Sequence, residues 1–237
     1  MPGPDARKGK LVLSSCSHPS EQCERGRPVW AGLWEIGVID MMLVEVTSVP
    51  LLALPLTQFK AHLRLGTGFS DAGLQDVVLE SFLRAAMSAI EGRTGKILIE
   101  RDFAWSLTAW REYDRQALPV APVSAITGVV LISAVSVETV VAPALYRLVP
   151  DMQRPCLVAL AGGLPSVPVN GSVRVGFMAG FGPEWTDLPP DLAQAVLMLA
   201  AHYYEYRQDT TLGAGCMPFG VTALIERYRT VRLFGGA

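Results

Sequence analysis

The chain has 237 residues, half of them hydrophobic, which suffices for one domain with a sizeable core or a domain carrying an insertion. Twenty Lys and Arg face 22 Asp and Glu, a formal net charge of -2. That balance excludes a general electrostatic attraction to nucleic acid or to a membrane surface, which needs a clear basic excess. The 22 glycines and 17 prolines lie mostly between apolar runs, which suits a β-containing fold with many turns.

Residues 1–40 differ from the rest. Pro, Ser, Arg and Cys dominate, and no period of 2 or 3.6 is sustained. They are expected to be a disordered or non-native extension, with Met41 or Met42 as the biological start. The alternative is a genuine flexible arm, made adhesive by Trp30, Trp34 and Ile36. Leu13-Ser14-Ser15-Cys16 resembles a lipoprotein cleavage box, but only Leu11-Val12-Leu13 precedes it, too short for a secretory core. No apolar run reaches the roughly 18 residues of a bilayer span, so no membrane association is expected.

Thr57 is positioned to cap a short helix through Leu65, with Phe59, Leu63 and Leu56 turned inward. Gly66-Thr67-Gly68 breaks it. Asp71 then caps a longer helix to about Arg93. Its apolar stripe is read as Leu74, Val78, Phe82, Ala85, Ala89 and Ile90, with Gln75, Asp76, Glu80 and Arg84 off the stripe. Gly95 is well placed to end it in a left-handed conformation.

From Lys96 the period changes to two, predicting a long strand through Ala109. Further strands are expected at Ala125–Ser133, Val135–Val141, Tyr146–Val149, Cys156–Ala161 and Ser172–Phe181. Pro119, Pro122, Pro143, Pro150, Pro155, Pro165 and Pro168 fall between them or at their ends, where a residue without an N–H is tolerated. Gly180, Gly182 and Pro183 close the strand region.

Pro189 and Pro190 precede a second long helix, with Asp191 near its favourable N-terminal end. Leu192, Ala195, Val196, Leu199, Ala200, Tyr203 and Tyr206 make its apolar face, and it ends near Gln208. A Gly/Thr loop follows, and Pro218 starts a last helix over Phe219–Tyr228. The tail Thr230-Val231-Arg232-Leu233-Phe234 is β-prone and followed by glycines. The fold class is therefore α+β: a helical core of two long helices plus short ones, an inserted antiparallel β region, and a C-terminal helix and tail. Within a domain over 41–237, helices occupy 56–95 and 189–230 and the β insertion 96–182. There is no βαβ alternation and no internal repeat.

The search for chemistry nominates no catalytic, cofactor-binding or metal-ligating residue. His18, His62 and His202 stand in no constellation, and the H-E-x-x-H order is absent. Cys16, His18 and Cys23 lack a convincing fourth zinc ligand. Cys156 and Cys216 are far apart with no partner motif, so reduced thiols are the default. Gly66-Thr67-Gly68 lacks the third glycine of a dinucleotide loop, Gly95-Lys96 lacks the rest of a P-loop, and no G-x-S-x-G occurs. Tyr203, Tyr204 and Tyr206 beside Arg207 read as helix packing rather than a nucleic-acid stacking site, because the surroundings are not basic. Arg227, Arg229 and Arg232 against Glu226 form the clearest charge bias, either a solvated helix face or a docking surface for an acidic partner.

Several stretches, taken in order, resemble bacteriophage head–tail connector (adaptor) proteins. Leu56-Thr57-Gln58-Phe59-Lys60-Ala61-His62-Leu63-Arg64 resembles the family's opening helix. Glu91-Gly92-Arg93-Thr94-Gly95-Lys96 resembles the end of its long helix. Gly180-Phe181-Gly182, Leu188-Pro189 and the helix through Ala201–Arg207 resemble its most recognisable segment. Met217-Pro218-Phe219-Gly220-Val221 and Tyr228-Arg229 resemble its C-terminal helix. The similarity runs over roughly 43–237 and looks nearest to the adaptors of alphaproteobacterial gene transfer agents, which are domesticated phage-like particles.

The resemblance implies a structural subunit and no enzyme. Such subunits form a ring, usually of twelve, that joins the portal of a DNA-filled head to the stopper or tail-completion protein. DNA passes through the lumen without specific binding, which a slightly acidic chain suits. Assembly in the bacterial cytoplasm and a final place in the particle neck follow from the same resemblance. The arginines, the β-prone tail and the glycines after it make the C-terminal segment, namely Arg227, Arg229, Val231, Arg232, Leu233 and Phe234, the expected docking part, by an anchored helix or by adding a strand to an exposed edge, and the resemblance nominates the portal as its partner. Two alternatives remain at this point: an enzyme with a nonstandard site in the β region, whose few charges include Arg147, Asp151 and Arg154, and a peptide-binding scaffold using strand edges.

Overall fold

The computed structural model describes residues 41–65, 72–207 and 217–229, with 72–74 described by their backbone alone. The expectations for residues 1–40, for an Asp71 cap, for the Leu74 side chain and for the tail beyond Arg229 lie outside what is described.

A strand absent from the sequence reading comes first: β1 spans Met41–Glu45. One 3-10 turn then leads into α1, Leu56–His62, whose N-cap is Pro55 rather than Thr57. Pro55 makes no side-chain cap, and Thr57 falls inside the first turn. The anchor is Phe59, which is fully buried.

The long helix α2 covers Ala72–Thr94. Gly95 ends it at φ 68, and its N–H donates to the Glu91 carbonyl at 2.8 Å, the left-handed stop expected of a glycine there. The apolar face is rotated from the expected one. Leu79, Leu83, Ala86, Met87 and Ile90 are buried, while Val78 is 45% exposed and Val77 65%. Both series recur at spacings of three and four. Because Val77, Val78 and Leu79 are consecutive, periodicity alone does not fix the phase of the helix. Phe82 is half-buried and meets the Tyr204 ring edge-on at 6.0 Å.

The predicted long strand from Lys96 is shorter than its alternation suggests. Ile97, Leu98 and Ile99 are all buried, and this segment makes only isolated bridges, Lys96 to Ala121 and Ile99 to Gly182. Regular pairing begins at β2, Arg101–Leu107. A short strand, β3 (Arg115–Ala117), was not anticipated. It is followed by β4 (Val123–Ile132), β5 (Glu138–Val140), β6 (Tyr146–Val149), β7 (Cys156–Ala159) and β8 (Ser172–Ala179). These match the expected strands to within a few residues at each end, except that β5 keeps only the second half of its segment.

All the strand ladders are antiparallel. One sheet has the order β1-β2-β8-β4-β5 and the other β3-β7-β6. Thus the first sheet recruits β1 from before the helices, so the β region is not confined to the insertion. In β2 the inward residues Phe103, Trp105 and Leu107 alternate with half-exposed ones, and they pair with Phe177, Val175 and Val173 of the central strand β8. Those side chains, with Leu157 and Tyr146 of the second sheet, form one core.

A second core belongs to the helices. The helix α3 spans Pro190–Glu205 and buries Leu192, Ala195, Val196, Leu199 and Ala200 against α2, as its stripe predicts. Tyr206 is 49% exposed, because it lies past the last helical residue, where its ring sits tilted against that of His202 at 4.7 Å between centroids. The helix α4, Phe219–Ile225, continues as a 3-10 turn to Tyr228 and packs Val221, Ile225 and Tyr228 into the same core.

Candidate functional site

Three places in the fold combine polar geometry with surface that another molecule can reach. The first is the hinge between sheet and helices. Gly180 has φ 147, and a Cβ there would lie 2.3 Å from Glu100 Cα. Only glycine lets the end of β8 come this close to the strand beside it. Phe181 N then donates to the Leu98 carbonyl at 3.1 Å, and Glu100 N to the Gly182 carbonyl at 2.8 Å. Gly182 leaves room for the Asp187 carboxylate, which accepts from Glu184 N at 2.9 Å. Phe181 between the two glycines meets the Tyr228 ring edge-on at 6.4 Å, tying the end of the sheet to the C-terminal turn.

The second is that C-terminal corner. Asp191 in the first turn of α3 accepts from the Tyr228 hydroxyl at 2.8 Å and pairs with Arg227 Nε at 2.9 Å. The Arg227 guanidinium sits 4.7 Å from the centre of the Tyr228 ring and also donates to its hydroxyl. That hydroxyl contact, with the charge of Asp191, raises the arginine pKa above its ordinary value. Burial raises that of Tyr228 as well. Arg229 pairs with Glu226 at 2.9 Å. Both arginines therefore have partners within their own chain, although Arg227 still exposes 68% of its side chain. The other nominated residues, Val231, Arg232, Leu233 and Phe234, lie outside the described residues. Asp191 was read from the sequence only as a favourable charge at a helix start. Its role as the seat of Arg227 and Tyr228 joins positions 37 apart, which no local pattern announces.

The third is the open edge of the larger sheet. β1 is an end strand with all five residues exposed, and Met41, Met42, Leu43 and Val44 supply four of them. Its ladder with β2 is reinforced by an ionic clamp. Arg101, 9% exposed, donates to both carboxylate oxygens of Glu91, at 3.0 and 2.7 Å, and pairs with Glu45 of β1 at 2.9 Å. Burial works against the guanidinium charge, but the hydrogen bonds and charges of Glu91 and Glu45 outweigh it and hold its pKa high.

In the β region, Asp151 and Lys96 are engaged in local structure. Asp151 accepts from Gln153 N and Arg154 N, both at 2.6 Å, and these bonds hold its carboxyl below the ordinary value. Lys96 is fully buried and reaches Gln153 Oε1 at 2.9 Å. Burial lowers its pKa, partly offset by Asp151. Burial likewise pushes the Cys156 thiol up. Among the described residues no three His, Cys, Asp or Glu side chains are grouped to hold a metal ion, and no helix is long and apolar enough to cross a membrane.

No family model and no curated protein matches the chain. Solved structures do. A chain in the neck of an empty gene transfer agent (GTA) particle, computed with C6 symmetry, is 59% identical with a TM-score of 0.75. One in the virion of a native GTA particle is also 59% identical, with a TM-score of 0.73. One in the neck of a native GTA particle, computed with C12 symmetry, is 55% identical with a TM-score of 0.71. Each match covers 82% of this chain and 98% of the other. Identity at that level over nearly the whole of each relative places this chain in the head–tail connector (adaptor) family, in its gene transfer agent branch.

Proposed function

We propose that the protein is a structural ring subunit of a particle neck. It joins the portal of a DNA-filled capsid to the stopper or tail and leaves a channel for DNA. The observation that carries this reading is its identity of 55–59% to chains of GTA necks and virions, over 98% of their length. The C12 symmetry of one such neck supports a ring of twelve copies. Assembly takes place in the cytoplasm of the producing bacterium, and no catalytic step is assigned to the subunit.

Attachment to the portal is assigned to the C-terminal segment. The apolar face of α4 is occupied by its own subunit, through Val221, Ile225 and Tyr228. That buried face is closed to a partner. The α4 helix instead supplies a fixed base at the Asp191 corner, from which Arg229 leads into Val231, Arg232, Leu233 and Phe234. Ordering such a tail opposes binding by about 1–2 kcal/mol of backbone entropy per residue, so Leu233 and Phe234 must contribute along with the arginines. Deleting residues 230–237 tests this. The expected product is a folded subunit that no longer joins portals, with heads that lack tails. Normal assembly of gene-transferring particles by the truncated protein rules the tail out as the anchor. Loss of folding instead shows that the tail packs on its own subunit.

A further inference from the structure

The two ends of the larger sheet are open among the described residues, and both expose apolar side chains, although β5 also carries Glu138, paired with Arg174. At one end lies β1, with Met42 61% exposed and Val44 43%. At the other lies β5 with its approach, where Val137 is 59% exposed and Val140 73%. Such edges attract further strands, and isolated subunits ordinarily blunt them with lysine, proline or inward charges. In β1 the single charged residue, Glu45, is turned onto Arg101.

The backbone at both ends has groups to offer. Val46 N donates inward to the Asp102 carbonyl at 2.8 Å, so antiparallel alternation aims the N–H and C=O of Glu45 and Leu43 out of the edge. Val141 N donates inward to the Val129 carbonyl at 2.8 Å, and Ser133 N to the Val137 carbonyl at 3.0 Å. The same alternation turns the backbone of Glu138 and Val140 outward.

A closed ring needs a head-to-tail contact in which one patch meets a different patch on the next copy. Two unlike edges at opposite ends of one sheet meet that requirement. We propose that the β1 edge of one subunit pairs with the β5 edge of its neighbour around the neck ring. This rests on the ring reading above. The similar neck chains come from particle necks computed with C6 and C12 symmetry, in which copies of one chain follow one another around the axis. The occupant of the β1 edge is accordingly a second copy of this chain.

The test uses the full chain in purified particles, its four native cysteines replaced by serine, carrying Met42→Cys together with Val140→Cys, both on the outer face of the sheet, treated with a short bismaleimide. The expected result is a ladder of covalent multimers rising to twelve copies, absent from either single variant. A second variant, Val44→Lys, places a charge on the solvent side of β1. It is expected to melt like the parent chain yet to lower the yield of rings at least tenfold. If the protein is missing from particle necks by microscopy, the ring reading itself fails. If the protein is present there and the double variant gives no ladder, the edge pairing is overturned, whatever the lysine variant does. Ladders from a single variant, or links that stay within one copy, overturn it equally, the latter in favour of the chain's own N-terminal residues.

Discussion

Leu79 and Val78 are adjacent on α2, and only one of them faces the core. Leu79 is fully buried in the cluster that α2 shares with α3 and α4, whereas Val78 is 45% exposed. Leu79→Ala removes three carbons at about 0.8 kcal/mol each, and the residual cavity adds to that, for a total of about 2–5 kcal/mol. Val78→Ala removes little buried surface, and alanine is the better helix former. Its effect is expected within about 0.5 kcal/mol, of either sign. For a domain of this size each kcal/mol moves the melting temperature by about 2–4 °C, so the leucine variant is expected to melt at least about 4 °C lower. Circular dichroism in urea gradients, at low protein concentration, reads both variants on one scale. A larger loss for Val78→Ala, or a loss under about 1 kcal/mol for Leu79→Ala, refutes the observed phase of α2 and restores the stripe through Val78.

Other perturbations separate the remaining links of the argument. Gly180→Ala forces a Cβ to within 2.3 Å of Glu100 Cα, in a backbone conformation that L-residues avoid, and is expected to lower the melting temperature sharply. Parent-like melting contradicts the close approach. Glu91→Ala strips Arg101 of its buried bidentate partner and is expected to destabilise by about 3–5 kcal/mol, against about 0–1 kcal/mol for the half-exposed Glu45→Ala. Equal losses in urea titrations defeat that ranking. Lys96 has its pKa lowered in the folded state by burial. As pH rises toward the ordinary lysine value, the unfolded chain holds more protons than the folded one, so stability gains from Lys96 with pH. The stability difference between parent and Lys96→Met is expected to shift in the parent's favour over that window, and a constant difference refutes the assignment.

The helical half was more legible in the sequence than the sheets. Gly95 as a left-handed stop, the stripe Leu192, Ala195, Val196, Leu199 and the closing helix from Phe219 all rest on spacings within one element, and all stand where expected. Failures came where local pattern was ambiguous or silent. Three consecutive apolar residues let α2 be read one residue out of phase. Ile97, Leu98 and Ile99 were counted into an alternating strand, but they are three consecutive apolar residues shared between two cores, Ile97 in the sheet core and Leu98 and Ile99 in the helical one. β1 is a continuous apolar run with no alternation, and only the register Met41–Glu45 against Leu107–Phe103 makes it a strand. The candidate site divides in the same way. The arginines of the last turn were visible, but their seat on Asp191 and the open edge of β1 arise from tertiary pairing.

The central claim is that this chain builds the ring of a particle neck, and cryo-electron microscopy of purified particles tests it most directly. The reconstruction should use the untagged chain at a resolution that shows side chains, so that each ring subunit is identified by its own sequence. The account predicts twelve copies in one ring beneath the portal, each carrying the fold of residues 41–229. Particles with complete necks that lack this chain, or that hold it elsewhere in the virion, contradict it.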